Sequence, residues 1–562
     1  MYRSNTSMRY APRRFRYGLV FLLAAVLVSC GGAPGASARP GDRTQAATPT
    51  IAPIMAQSFP KAEATTVASP AAADVVIQVD GSQSVHPISP LIYGLNDAPE
   101  DVRRQLIPTL NRWGGNPSTR YNWRLGNAWN AGSDWFYRNG DYGYTGRSAS
   151  DDFVRNTLAG KGHVLLTLPT LGWVAKNNDN NTCSFPASDG HCGDAEKANC
   201  ERPGQIADPR QANVESDVTS IVDWVKHLLV EQKYTVRFFA MDNEPDLWGF
   251  THYDVHPNCS TYDEIRDKYL EYATAVREVA PQAELLGPVS CCWNFYWNSA
   301  AGADDKAQHD NQDFLPWFLQ QVRQHDQRLG KRTLDVLDIH YYPEGLYNDQ
   351  DDTRTAAHRL RSTRSLWEKT YVDESWIGQP VYLIPRMKQL IDANYPGTKL
   401  GISEWNWGAD KTMNGALALA DVLGIMGRED VYLASYWRYP EIGSPGFFAF
   451  KMFRNYDDRG GHFGDTSIQA LSSAPDQISA YAAINTIDSG VAVLLLNKDP
   501  QHDAAVAIDL RNISLGGKTT LYRYSMATSD AITSASVAPA DRLSLTLPAY
   551  SISLLVFEAQ KS

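Results

Sequence analysis

The sequence predicts an α/β protein, a TIM-like (β/α)8 barrel carrying a β-sandwich built from both chain ends. Three observations carry that reading. Short apolar runs alternate with helix-like stretches through the middle of the chain, the pattern of β/α units around a parallel sheet. Residues 466–562 are strand-rich and punctuated by turn residues. A lone strand-like run, Asp74 to Val79, precedes the first β/α unit and needs a sheet to join. With 562 residues the chain also exceeds what one compact core usually uses, so a second domain is expected.

Taken in order, residues 1–29 read as a lipoprotein signal peptide. Arg3, Arg9, Arg13, Arg14 and Arg16 precede the apolar run Leu19 to Val28, and Leu27-Val28-Ser29-Cys30 resembles a bacterial lipobox. That implies cleavage before Cys30, lipidation of its sulfur, and a body outside the cytoplasm, anchored to the cell surface. A plain secretion signal or a membrane anchor is the alternative, although the run is short for spanning a bilayer. Residues 30–73, rich in Ala, Pro and Thr, have no periodic apolar face and read as a disordered tether. Residues 74–90 supply the first strand or strands of the sandwich, 91–465 the barrel, and 466–562 the remaining sandwich strands, with Ile552 to Phe557 as its closing strand.

The eight predicted barrel strands are Leu91 to Gly94, Leu110 to Trp113, His163 to Leu168, Val236 to Met241, Glu284 to Pro288, Val336 to His340, Lys399 to Ser403 and Tyr432 to Tyr436. Between them, Glu215 to Glu231 and Tyr262 to Val279 repeat apolar residues at helical spacing, and Ser260-Thr261 offer N-caps for the second. In such a barrel, functional residues gather at the carboxyl ends of the strands.

The formal charge of −11, with no clustered Lys or Arg beyond the N-terminus, argues against nucleic acid and polyanions as partners. Fifteen Trp and 28 Tyr suit a protein that stacks flat ligands such as sugar rings, although indoles also fill cores. Six cysteines follow the lipobox: Cys183, Cys192, Cys200, Cys259, Cys291 and Cys292. In an exported chain they fit up to three disulfides, with pairing undetermined, and Cys183, Cys192 and Cys200 suggest a stapled loop; zinc is the lesser alternative. The segment Asp246 to His256 is dense in Asp and His, where a structural calcium ion could find oxygen ligands. Catalysis itself calls for no cofactor.

Strand four ends in Met241-Asp242-Asn243-Glu244-Pro245 and strand seven in Ser403-Glu404-Trp405-Asn406, so each delivers a glutamate to the barrel mouth. Cleaving a glycosidic bond needs one carboxyl to protonate the leaving oxygen and another to attack or assist at the anomeric carbon. Glu244 and Glu404 lie 160 positions apart, and only the barrel could bring them together. Trp113, Trp123, Trp135, Trp248, Trp405 and Trp407 fall in loops at the same mouth, where some should stack successive sugar rings.

The longer strings narrow the family. Asn111-Arg112-Trp113-Gly114-Gly115-Asn116, Thr119-Arg120-Tyr121-Asn122-Trp123, Asn130-Ala131-Gly132-Ser133-Asp134-Trp135, Asp242 to Trp248 and Asp338-Ile339-His340-Tyr341-Tyr342-Pro343 occur in the order seen in glycoside hydrolase family 44, and the chain resembles that family over roughly 75 to 560. The resemblance implies an endo-acting, retaining β-1,4-glucanase or xyloglucanase, working as a monomer on a polysaccharide. In that scheme Glu244 is the acid/base, Glu404 the nucleophile, and Asn243 a ligand to the sugar 2-hydroxyl. Arg112 holds Glu404 ionised, His340 with Tyr341 and Tyr342 orients it, and Trp437 forms the floor under the reacting sugar. The neighbouring readings are another retaining glycosidase of the same clan, such as a xylanase, mannanase or arabinofuranosidase, or a carbohydrate-binding lipoprotein without catalysis.

Overall fold

A computed structural model describes residues 74–141, 148–187, 191–193, 198–528 and 530–559. The expected signal peptide, Cys30 and the expected tether to residue 73 lie outside the described residues. Among the described residues no helix is long and apolar enough to cross a membrane.

Eight parallel strands close into a barrel: Gly94–Asn96, Leu110–Trp113, His163–Leu168, Phe238–Met241, Glu284–Ser290, Val336–Tyr341, Lys399–Trp405 and Leu433–Tyr436, numbered one to eight below. The first begins three residues later than the sequence suggests. Pro90–Ile92 instead form a 3-10 turn, because Pro90 presets its first residue and Ser89 Oγ accepts the Leu91 N–H at 3.3 Å. The delay makes Asn96 the last residue of the strand. Helix Tyr262–Val279 forms over the predicted span, with Thr261 Oγ1 accepting the Glu264 N–H. The helix expected from Glu215 starts at Val218, where Asp217 caps the Ser220 N–H.

Strand alternation then dictates what fills the barrel. Leu110, Leu165, Phe238, Leu286, Val336 and Leu433 form an apolar layer inside it. Two residues on, the same inward faces carry Arg112, Thr167, Asp338 and Ser435, joined by Asn96, His340 and Ser403, all fully buried. The outward faces, with Val164, Leu166, Phe239, Leu337 and Ile402, join the large core beneath the helices.

The sandwich strands run in the order Thr533–Val537, Leu515–Ser525, Ser551–Ala559, Val491–Asn497, Ile478–Ile484, Thr466–Ser472, Val75–Asp80, Ala504–Arg511 and Arg542–Leu547. Thr466–Ser472 turns the corner: its first half pairs with Ile478–Ile484 and its second half with Val75–Asp80. The isolated N-terminal strand therefore sits inside the sheet, antiparallel to that strand and parallel to Ala504–Arg511. All six described cysteines pair, as Cys183–Cys192, Cys200–Cys259 and Cys291–Cys292, which sets the zinc alternative aside. Only Cys183 and Cys192 staple the insertion to itself, while Cys200 ties it to the loop after strand four.

The sandwich has a core of its own, but one face of it joins the large core beneath the barrel helices, where Tyr481 lies so close to Gly424 of helix Met413–Arg428 that a Cβ there would come within 2.4 Å of its ring. Tyr481 and Thr363 each donate a hydroxyl hydrogen bond to Asp421, and Lys498 reaches the same carboxylate at 2.9 Å from the sandwich. Burying one charge of such a pair without the other is costly. Lys498→Met should therefore destabilise the protein by about 3–5 kcal/mol, and Lys498→Met with Asp421→Leu by clearly less, as read by urea unfolding. Equal costs for the single and double variants would show that the ion pair does not tie the domains.

Candidate active site

Two backbone features place the first glutamate. After strand four the chain enters the left-handed region at Asp242 (φ +69°) and Glu244 (φ +47°), conformations that non-glycine residues hold only when their surroundings enforce them. Asp242 enforces its own: its carboxylate accepts hydrogen bonds from the Asn243, Thr170 and Leu171 amides and from both the Thr119 and Thr170 hydroxyls. Beyond it, Glu244 N–H donates to Val289 O at 3.1 Å, Pro245 starts a 3-10 turn, and Asp246 accepts from Ser290 Oγ and Cys291 N–H, each at 2.7 Å. Glu244 is thus clamped between strands three, four and five.

Glu404 approaches from strand seven. Arg112 Nη1 donates to its Oε1 at 2.6 Å and Tyr342 Oη to its Oε2 at 2.8 Å. The same guanidinium donates to Asn96 Oδ1 at 2.9 Å and Asn243 Oδ1 at 2.8 Å, and faces His340 Nε2 at 3.3 Å. A guanidinium can only donate, so Nε2 is the acceptor and the imidazole proton is assigned to Nδ1. Nδ1 stands 2.9 Å from Glu244 Oε1 and 3.5 Å from Glu404 Oε2, so His340 bridges the pair. One oxygen of each carboxyl and the imidazole nitrogen all lie within 4.8 Å of one another.

The two carboxyls are electrostatically unequal. Burial raises Glu244 well above the usual carboxyl range, and the charges of Glu404 and then Asp246 push it further. Burial raises Glu404 as well, but Arg112 and Tyr342 oppose that rise. The shared proton therefore sits on Glu244, and Glu404 stays ionised. Burial, reinforced by Arg112, holds His340 well below its ordinary value, so it is neutral. Behind the pair, burial pushes Asp246 up to about 7, and burial with the charge on Glu404 pushes Asp134 up to about 6. A protonated carboxyl facing an ionised one can give a proton to a leaving oxygen while the other attacks carbon.

The structure gathers Glu244, Glu404, Arg112, Asn243, His340 and Tyr342 around one point. The Asn243 oxygen is occupied by Arg112 and the Gly115 N–H, and its amide donates to Asn116. Trp437 lies half-buried against Gly115 (φ +80°), where a Cβ would meet its ring at 2.4 Å. A side chain at Gly114 would similarly strike the Arg112 guanidinium.

Most of the expected stacking indoles are corrected by burial. Trp405 (0% exposed) packs edge-on against Tyr436, and Trp407 donates to Ser362 Oγ. Trp113 sits among Tyr121, Trp129 and Phe153, and Trp248 against His256. These four offer no open face to a ligand. Trp123 is half-buried but turned toward the helix Val218–Lys226, donating to Ser220 O and lying by His227. The calcium expectation also fits poorly, since Asp254 is paired with Arg120 and Ser184 while Asp246 is taken by Ser290 and Cys291. Sequence reasoning missed Asn96 and Asp338, and it took Asp246 for a calcium ligand rather than a neighbour of Glu244. The inward alternation of strands one and six could have flagged Asn96 and Asp338.

The sequence profile of glycoside hydrolase family 44 matches residues 128–345. Beta-mannanase/endoglucanase A of Caldicellulosiruptor saccharolyticus is 30% identical over 486 residues, covering 78% of this chain and 35% of that protein. Endoglucanase A of Paenibacillus lautus is 30% identical over 458 residues, covering 76% of this chain. The chain thus spans only 35% and 64% of the length of these two curated relatives. Among solved structures, CelM2, a bifunctional glucanase-xylanase protein from a metagenome library, superposes with a TM-score of 0.82 at 35% identity, covering 86% of this chain and 99% of that one. A Paenibacillus polymyxa xyloglucanase from glycoside hydrolase family 44 gives 0.75 at 29% identity, with the same coverage.

Because the Glu404 charge helps hold the proton on Glu244, Glu404→Gln should lower the Glu244 pKa, so that Glu244 ionises at lower pH than in the unaltered protein. A carbon-13 NMR titration of glutamate carboxyls reads this directly. An unchanged or raised value would mean that burial alone sets it.

Proposed function

The chain belongs to glycoside hydrolase family 44, and on that premise we propose that it is a retaining, endo-acting hydrolase of β-1,4-linked glucans, plain or xyloglucan-type. The observation that carries the reading is the close, unequal carboxyl pair. Retaining enzymes hold their carboxyls about 5–5.5 Å apart and inverting ones roughly 6.5–9.5 Å, so oxygens within 4.8 Å favour retention. The endoglucanase, xyloglucanase and glucanase-xylanase descriptions of the relatives favour a β-1,4-glucan substrate.

In the proposed mechanism Glu404 attacks the anomeric carbon while Glu244 protonates the departing glycosidic oxygen. Arg112 and Tyr342 keep Glu404 ionised until attack and then hold the ester that forms. Glu244, now ionised, takes a proton from water, which releases the sugar with its anomeric configuration retained. His340, neutral and proton-bearing at Nδ1, stabilises Glu244 in the ionised phase. The N-terminal segment is proposed to tether a monomeric enzyme through lipid on Cys30, outside the cytoplasm, where polymeric substrates are found.

The test uses protein lacking residues 1–73, acting on carboxymethyl-cellulose and xyloglucan. Rapid viscosity loss, with the β-anomer appearing first by proton NMR, is expected. Intact polymer with tight binding would instead place the chain among carbohydrate-binding proteins. Glu404→Gln should abolish the activity. Glu244→Gln should lower kcat on polymers by about 10²–10⁴-fold, yet spare formation of the glycosyl-enzyme from a dinitrophenyl glycoside, whose leaving group needs no proton. Equal loss on both substrates would contradict Glu244 as the acid.

A further inference from the structure

Strand seven does not run in register with its neighbours. Against strand six, Asp338 faces Gly401 and Ile339 faces Ile402, but His340 then faces Glu404, so Ser403 is skipped. Against strand eight, Ile402 faces Ala434 and Trp405 faces Tyr436, three steps opposed to two. One extra residue is thus inserted at Ser403 and Glu404, a β-bulge at the barrel rim.

The bulge decides which way Glu404 points. Side chains in a regular strand alternate, so with Gly401 inward and Ile402 outward, Ser403 would point in and Glu404 out toward the helices. Instead Ile402 and Trp405, three apart, both join the outer core, while Ser403 and Glu404 both reach the polar side.

What holds the inserted residue is a set of side chains. Ser403 N–H donates to Asp338 Oδ1 at 3.0 Å, Ser403 Oγ meets His340 Nε2 at 3.2 Å, and Ser403 O accepts from Asn96 Nδ2 at 3.2 Å. Asp338 is fully buried, and its second oxygen has no hydrogen-bond partner among the described residues, an arrangement that lowers stability and calls for a reason. Gly401, directly opposite, leaves room for it and for Val336: a Cβ there would lie 2.9 Å from Val336 Cγ1 and 3.2 Å from Asp338 Oδ1. Burial raises this carboxyl to about 6.

We infer that Asp338 is a positioning residue for the nucleophile: by capturing the Ser403 amide it fixes the bulge that turns Glu404 into the active site. The inference rests on the reading of Glu404 as nucleophile. The acceptor oxygen, rather than the charge, is what the geometry requires.

An activated 2-deoxy-2-fluoro-cellobioside tests both points separately, with the adduct located by peptide mass spectrometry. Failure to label Glu404 in the unaltered enzyme would overturn the nucleophile assignment itself. Given labelling there, Asp338→Val should slow the trapping step about 100-fold with the inhibitor's dissociation constant unchanged, the scale of loss that an ångström of misplacement brings. Asp338→Asn, which keeps an acceptor for Ser403, should stay near the unaltered rate. Normal trapping by Asp338→Val, or an equal loss in Asp338→Asn, would overturn the inference. Should Asp338→Val not fold, Gly401→Ala made together with Val336→Ala, which removes the nearer clash, crowds the same carboxyl without removing it; its trapping should slow relative to Val336→Ala alone, and an unchanged rate would equally count against the inference.

Discussion

The site is organised around one buried cation. Arg112 has no exposed surface, and a guanidinium in that position is tolerated only with a paired charge and acceptors for its hydrogens. Glu404 supplies the charge; Asn96, Asn243 and His340 supply further acceptors for the two terminal nitrogens, while Nε–H has no partner among the described residues. Those partners come from strands one, four, six and seven, so a single side chain on strand two draws together most of the barrel rim. Gly114 is required beside it, since any side chain would occupy the guanidinium's place.

From this cation follows the inequality of the two glutamates. Burial works against ionisation at both, but only Glu404 has an arginine and a tyrosine hydroxyl on its oxygens. Burial, reinforced by the same cation, keeps His340 neutral, and the cation dictates its tautomer and leaves Nδ1–H aimed at Glu244. A protonated acid beside an ionised nucleophile thus needs no difference in residue type, only one arginine placed nearer one of them.

Much of this was legible in the chain. Apolar runs marked seven of the eight barrel strands closely, and Asn-Glu-Pro and Ser-Glu-Trp marked both carboxyls. The aromatic reading transferred less well, because a place near the mouth does not say which way an indole faces, and Trp113 and Trp405 are the last residues of strands two and seven rather than loop residues. Trp405 follows Glu404 directly, yet the bulge sends one into the cleft and the other into the core. Trp113 and Trp248 satisfy the packing of long loops over the barrel, a demand invisible to residue counting.

The sequence by itself determined the barrel, the separate strand-rich end and the identity of the facing glutamates, because alternation and helical period are local properties written residue by residue. Only the tertiary structure decided that the lone strand at Val75 lies between Thr466–Ser472 and Ala504–Arg511, which cysteines pair, and how strand seven slips by one residue. Those outcomes depend on contacts between positions far apart in the chain. A hydrogen bond such as Ser403 to Asp338, 65 residues away, leaves no periodic trace for a sequence to show.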